Sequence, residues 1–262
     1  MTTEQVRADR ELIATGRILS KVPAVTLVFW VIKILTTGMG EVTSDYFLLD
    51  FDDPSVMVQV AFVALIVALV AQIWTRRHIP WLYWTTVVTV SVFGTMVADI
   101  MHYLLDVPFA DATAGFAVAL AVILGAWYAT ERTLSIHSIT TRRREIFYWL
   151  TVMATFALGT AAGDLVAETG NLGFLGASMV FAVAIAVPWI AWRKFGLNAI
   201  AAFWIAYILT RPLGASAADL LGMPPENGGL GFGLGPVSLV LTIVIVALVG
   251  YVSVTHKDTV DQ

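Results

Sequence analysis

The chain contains no cysteine, which excludes disulfides and leaves no soft thiolate for a metal site. Charge is also scarce. Asp, Glu, Lys and Arg make up 13% of the 262 residues, about half the share of a soluble domain. Catalytic signatures are missing too: there is no His-Glu-x-x-His, no Gly-x-Ser-x-Gly and no phosphate-binding glycine loop. Ser216 sits near no evident base, and His78, His137 and His256 fall in short polar connections or the tail. No catalytic residue is assigned, and the protein is not expected to be an enzyme. No motif points to a nucleic acid or to a resident cofactor.

What the chain has is apolar length. It is 58% hydrophobic with a mean hydropathy of +0.82. Eight stretches, near 22–46, 54–75, 80–105, 112–130, 146–168, 172–192, 197–221 and 232–254, supply the roughly 20 apolar residues that a bilayer crossing needs. The expectation is an all-α, polytopic membrane protein with eight transmembrane helices. Residues 22–254 form its single transmembrane domain. Residues 1–21 are polar and read as a short cytoplasmic N-terminal helix rather than a cleavable signal, because the apolar run after them is full length and carries Lys33 and Glu41. Residues 255–262 read as a cytoplasmic tail.

Of the 15 Lys and Arg, 13 fall in five places: the N-terminus, Arg76–Arg77, Arg132 with Arg142–Arg144, Arg193–Lys194, and Lys257. These are the two termini and every second connection. The alternate connections carry Asp50, Asp52, Asp53, Asp106, Asp111 and Glu226 and no basic residue. The positive-inside rule then places both termini in the cytoplasm. The remaining two bases, Lys33 and Arg211, lie within apolar segments.

One frame recurs four times: Trp30–Gly40–Asp45, Trp84–Gly94–Asp99, Trp149–Gly159–Asp164 and Trp204–Gly214–Asp219, with 15 residues from Trp to Asp each time. It divides the chain into repeats 22–78, 79–135, 143–195 and 197–254, each a frame-bearing helix followed by a plainer one. Two crossings per repeat make all four parallel. At 1.5 Å per residue each Asp stands about 22 Å beyond its Trp. That spacing places each Trp near the cytoplasmic interface, where the four are expected to serve as interface anchors and packing rather than substrate-binding rings, and the Asp in the outer part of the span. The intervening Gly permits either close packing or local unwinding around a ligand, and the sequence leaves both open.

Polar residues follow the frame-bearing helices at four-residue steps. Repeat one has Lys33, Thr37, Glu41 and Asp45. Repeat two has Ser91, Thr95 and Asp99, with His102 beyond. Repeat three has Thr160, Asp164 and Glu168, and repeat four has Arg211, Ala215 and Asp219. Such spacing keeps them on one helix face, so helices 1, 3, 5 and 7 are expected to line a polar centre with the even helices outside.

Trp30, Trp84, Trp149 and Trp204, with the segments Lys33–Glu41 and Thr210–Ser216, resemble a group of bacterial inner-membrane proteins built of four tandem two-helix repeats of unknown function, one tryptophan per repeat. The resemblance covers about residues 22–254. It implies the architecture and a bacterial inner (plasma) membrane, and implies nothing about a substrate. More loosely, Gly40-Glu41 and Gly163-Asp164 are similar to the Glu-x-Gly-Asp motif of small cation exchangers.

A charge at mid-membrane costs roughly 2.5–3.5 kcal/mol on insertion scales, which marks intramembrane carboxylates as functional candidates. The candidate cation-binding residues are Glu41, Asp45, Asp99, Asp164 and Asp219. Lys33 and Arg211 are candidates for charge pairing or gating. Arg211 holds the frame position of Thr37, one turn below Glu41, so an Arg211–Glu41 pair is expected. Lys33 lies about 18 Å below Asp45 at helical rise and is not expected to touch it. The surplus of negative charge calls for protons, a cation or water. Oxygen ligands with one imidazole, from Asp45, Asp99, His102, Asp164 and Asp219, suit Mg²⁺, Mn²⁺ or Na⁺. The expected function is a small cation transporter exchanging a divalent metal ion against protons, with the lipid bilayer and that ion as its partners. Two alternatives stand beside it. A non-transporting sensor or assembly protein would have a self-paired, dry polar face. An organic-cation exporter would use Tyr103, Tyr148 and Tyr207 beside the carboxylates.

Overall fold

A computed structural model describes residues 21–75 and 77–255; the expected helix within 1–21 and nearly all of the tail lie outside it. The described chain is helical throughout, with no strand. Among the described residues eight helices are long and apolar enough to cross a membrane: α1 Leu27–Leu49, α2 Pro54–Trp74, α3 Pro80–Leu104, α4 Phe109–Glu131, α5 Arg142–Thr169, α6 Gly173–Phe195, α7 Ala199–Gly222 and α8 Leu234–Thr255. Helix α1 starts later than the apolar run does, because the Thr26 hydroxyl caps it by accepting the Phe29 N–H at 3.3 Å.

Local chemistry sets several other boundaries. Asp53 caps α2 by accepting the Ser55 N–H at 3.0 Å, and the Ser55 hydroxyl holds the Asp53 carboxyl below the usual carboxylate range. Pro54 and Pro80 open α2 and α3, where a missing N–H is harmless. Helix α6 is interrupted at Ile185, since Pro188 has no N–H for the carbonyl four residues earlier. Helices α3 and α5 each end in a π-helical turn, Ile100–Leu104 and Leu165–Thr169, directly after the frame aspartates.

The four odd helices form a closed ring in chain order: α1 packs on α3, α3 on α5, α5 on α7, and α7 on α1. Each even helix lies outside, chiefly against the odd helix of the next repeat: α2 on α3, α4 on α5, α6 on α7, and α8 back on α1. Burial follows this order. Over the most apolar 18 residues of each span, between 50% and 61% are buried in the odd helices, against 17–22% in the even ones. The polar stripes therefore face inward and the Val-, Ala- and Leu-rich helices face lipid.

The frame tryptophans pack within the protein, as expected of them, but the three most buried cannot also anchor in a lipid interface, and that half of the expectation is corrected. Trp84, Trp149 and Trp204 are 2–4% exposed, within a core that also holds Phe29, Tyr83, Tyr148 and Tyr207. Trp30 is half-buried and packs on Phe29 and Phe203. The reason is angular. Fifteen residues at 3.6 per turn leave the Trp about 60° from its Asp, within the inward stripe. The aromatic layer closes the tryptophan end of the ring, where Tyr83 and Tyr148 share a hydroxyl hydrogen bond of 2.6 Å. Beside it lies a buried ion pair, Lys21 to Glu145 at 2.5 Å, joined by the Gln72 amide at 3.2 Å.

Candidate cation-binding site

The glycine of each frame has one job, which the structure repeats four times around the ring. A Cβ on Gly40 would overlap Ser91, one on Gly94 would lie 2.8 Å from the Phe156 Cβ, and one on Gly159 would overlap Arg211. One on Gly214 would overlap Thr37. Ser91, Phe156, Arg211 and Thr37 all stand eight residues before their own aspartate, on the next helix of the ring. The helices run unbroken through all four glycines. The glycines therefore serve close approach, and none unwinds the chain. Hydroxyls seal the same seams: Ser91 donates to the Thr36 carbonyl at 2.9 Å, and Thr37 donates to that of Thr210 at 3.1 Å.

Through the Gly159 seam Arg211 enters the centre of the ring, fully buried. Its guanidinium donates to the Glu41 carboxylate, the Thr95 hydroxyl, the Thr160 hydroxyl (2.6 Å) and the Thr37 carbonyl (2.7 Å). Glu41, Thr95 and Thr160 each stand four residues before the frame aspartate of α1, α3 and α5. One cation from α7 is thus grasped by the same position of the three other repeats. The expected Arg211–Glu41 pair is present. Thr95 and Thr160 are partners that the reading of candidate residues passed over, although both lie in the stripe at the frame position of Glu41.

Above this layer the acids gather unevenly. Glu41, Asp164 and Asp219, from α1, α5 and α7, offer carboxylate oxygens all within 4.8 Å of one another. Asp219 is 3% exposed, and its Oδ1 has no hydrogen-bond partner among the described residues. Asp99 is buried and accepts a 3.0 Å hydrogen bond from Ser44 of α1, a residue that sequence reasoning missed. Asp45 is half-buried. Among the described residues Glu41 alone of the five acids has an ion-pair partner; none of the four aspartates lies within ion-pair distance of a described Lys or Arg.

His102 is not gathered into this group. Its Nδ1 lies 2.9 Å from the Val107 carbonyl, and its ring stacks on Phe109 at 3.5 Å, beyond Asp99. Glu168 is exposed at the end of α5. Lys33 is buried and, among the described residues, touches no carboxylate. Tyr148 and Tyr207 belong to the aromatic layer, about 24 and 18 Å along the helix from the aspartates of α5 and α7, while Tyr103 is exposed.

A ring of four inner helices around a buried ionic centre, wrapped by four apolar helices, defines a multi-pass membrane protein of four structural repeats. Residues 28–78, 82–133, 147–196 and 202–258 each match the family described as Repeat of Unknown Function (DUF347), and the chain belongs to that family. No curated protein and no solved structure matches it.

Proposed function

We propose that this protein transports a small cation across the membrane, and that the cargo is a hard divalent ion of the Mg²⁺ or Mn²⁺ kind exchanged against protons. The observation that carries the reading is the group formed by Glu41, Asp164 and Asp219. Three repeats deliver carboxylate oxygens to one place, and Asp219 of that group has a buried Oδ1 with no hydrogen-bond partner among the described residues. An unpartnered carboxylate oxygen away from water is costly, and a bound cation or a proton relieves it. Asp45 and Asp99 add acceptors at the same level, so protons have places to bind as the ion leaves. All-oxygen ligation favours hard ions over soft ones.

The Lys and Arg distribution supports cytoplasmic termini, with the aspartates toward the outer face; the bacterial inner membrane is what the resemblance to the repeat family implies. A cysteine placed at Glu226 should then react with an impermeant maleimide added outside intact cells. Labelling only after lysis would reverse the orientation.

For transport, the protein in liposomes with an imposed pH gradient should move Mn²⁺. Asp219→Asn and Asp164→Asn should lower the rate by at least on the order of tenfold, the size already associated with groups that only support metal ligands. Absence of Mn²⁺ and Mg²⁺ flux from the parent protein, together with no binding by calorimetry, removes this reading. One observation favours a second reading, a non-transporting assembly or sensor protein. The Arg211 network draws on all four repeats and closes the centre with protein groups alone.

A further inference from the structure

Two cations stand on the ring axis, and only one meets a carboxylate. The Lys33 ammonium, 1% exposed, has no hydrogen-bond acceptor among the described residues. It stands over two aromatic faces instead, 4.2 Å from the Phe156 ring centre and 4.4 Å from that of Tyr207. Both rings are fully buried. Phe156 comes from α5, which stands across the ring from α1, so the ammonium is central and not at a lipid-facing edge. The Arg211 guanidinium carbon lies 5.5 Å from the same Phe156 ring, so both cations rest against one aromatic side chain.

Frame positions sharpen the point. Tyr207 and Lys33 are each twelve residues before their aspartate, and Phe156 and Arg211 are each eight before theirs. Rings and cations thus exchange places between repeats at two successive levels. A long lysine at this depth could snorkel toward an interface, but this one turns inward onto π faces, whose partial negative charge attracts an ammonium.

We infer that Phe156 and Tyr207 form a cation site on the axis, and that Lys33 fills it as a tethered ammonium which adds a charge barrier to the aromatic closure at the tryptophan end of the cation path. What is closed rests on the transport reading; the aromatic site does not. Lys33→Ala empties the site, and a free primary alkylammonium of similar length refills it.

The test uses the full-length Lys33→Ala protein and n-propylammonium, with n-propanol as the uncharged control. In detergent, n-propylammonium should raise the Tm of Lys33→Ala saturably, by about 3 °C for a chain of this size, and leave the parent unchanged. Stabilisation no greater than that given by n-propanol overturns the site. In liposomes without a proton gradient, Lys33→Ala should leak Mn²⁺ several-fold faster than the parent, and n-propylammonium should slow the leak. A leak equal to that of a transporting parent overturns the barrier. Lys33→Met, uncharged and close in shape, provides the flux comparison if the alanine variant does not fold. A parent that moves no ion while Lys33→Ala still binds n-propylammonium strikes the transport reading and leaves the aromatic site standing.

Discussion

Arg211→Met is expected to lose about 3–5 kcal/mol of stability, and the double variant Arg211→Met/Glu41→Leu is expected to recover a large part of that loss. The prediction turns on which component of the network dominates. Hydrogen bonds between membrane helices average about 0.6 kcal/mol, so the Thr37, Thr95 and Thr160 bonds together account for roughly 2 kcal/mol. Stranding one member of a buried ion pair costs about 3–5 kcal/mol, because a charge remains with no counter-charge and no water. With Arg211 and Glu41 both buried, the second effect is the larger. Removing the stranded carboxylate should therefore help, whereas two independent losses would simply add. Equilibrium unfolding of the parent, both single variants and the double variant reads this directly. Strict additivity would mean that the pair is not the centre of the network. Thr95→Val and Thr160→Val should each cost only about 0.6 kcal/mol by the same reasoning.

Gly214→Ala is the second large effect. The new Cβ would lie 2.7 Å from the Ile34 carbonyl oxygen and 2.9 Å from the Gly38 nitrogen, both main-chain atoms of α1. A side chain can rotate away from a clash, but a helix backbone cannot, so α1 and α7 must separate. Overpacking in a tight core costs about 1–3 kcal/mol and more where nothing yields, so a loss at or above the top of that range is expected. Gly115→Ala and Gly125→Ala in α4 are the contrast, since nothing lies within 4 Å of either added methyl. Better helix propensity should leave these two neutral or up to about 1 kcal/mol more stable. A Gly214→Ala protein as stable as either one would show that the α1–α7 seam is loose.

The architecture was legible because the frame is periodic. A stripe at four-residue steps reads as an inward face whatever surrounds it, and it placed the odd helices inside. The Arg211–Glu41 pair was legible for the same reason: positions eight and four before the aspartate stack one turn apart. The inward face of the tryptophans is encoded by angle around the helix, about 60° from the aspartate, whereas distance along the helix speaks only to their depth. Other features have no signature in a single strand of text. The seam glycines act on residues 51–177 positions away, as from Gly40 to Ser91 and from Gly214 to Thr37, so their purpose appears only when the neighbour is known. The even helices are too uniform in Val, Ala and Leu to announce that they rest on the following repeat. The grouping of Glu41 with Asp164 and Asp219, apart from Asp99 with Ser44, depends on rotations that spacing does not encode.

Closing the ring between its first and last repeats sets a clock on biogenesis. Glu41 enters the bilayer with the first helix, and the guanidinium that neutralises it follows 170 residues later. At about 5–20 residues per second, the nascent chain waits roughly 10–30 seconds with that acid unmatched. Three hairpins must be threaded before the fourth supplies the keystone, so a ribosome that stalls before residue 211 leaves an open arc for quality-control proteases to find.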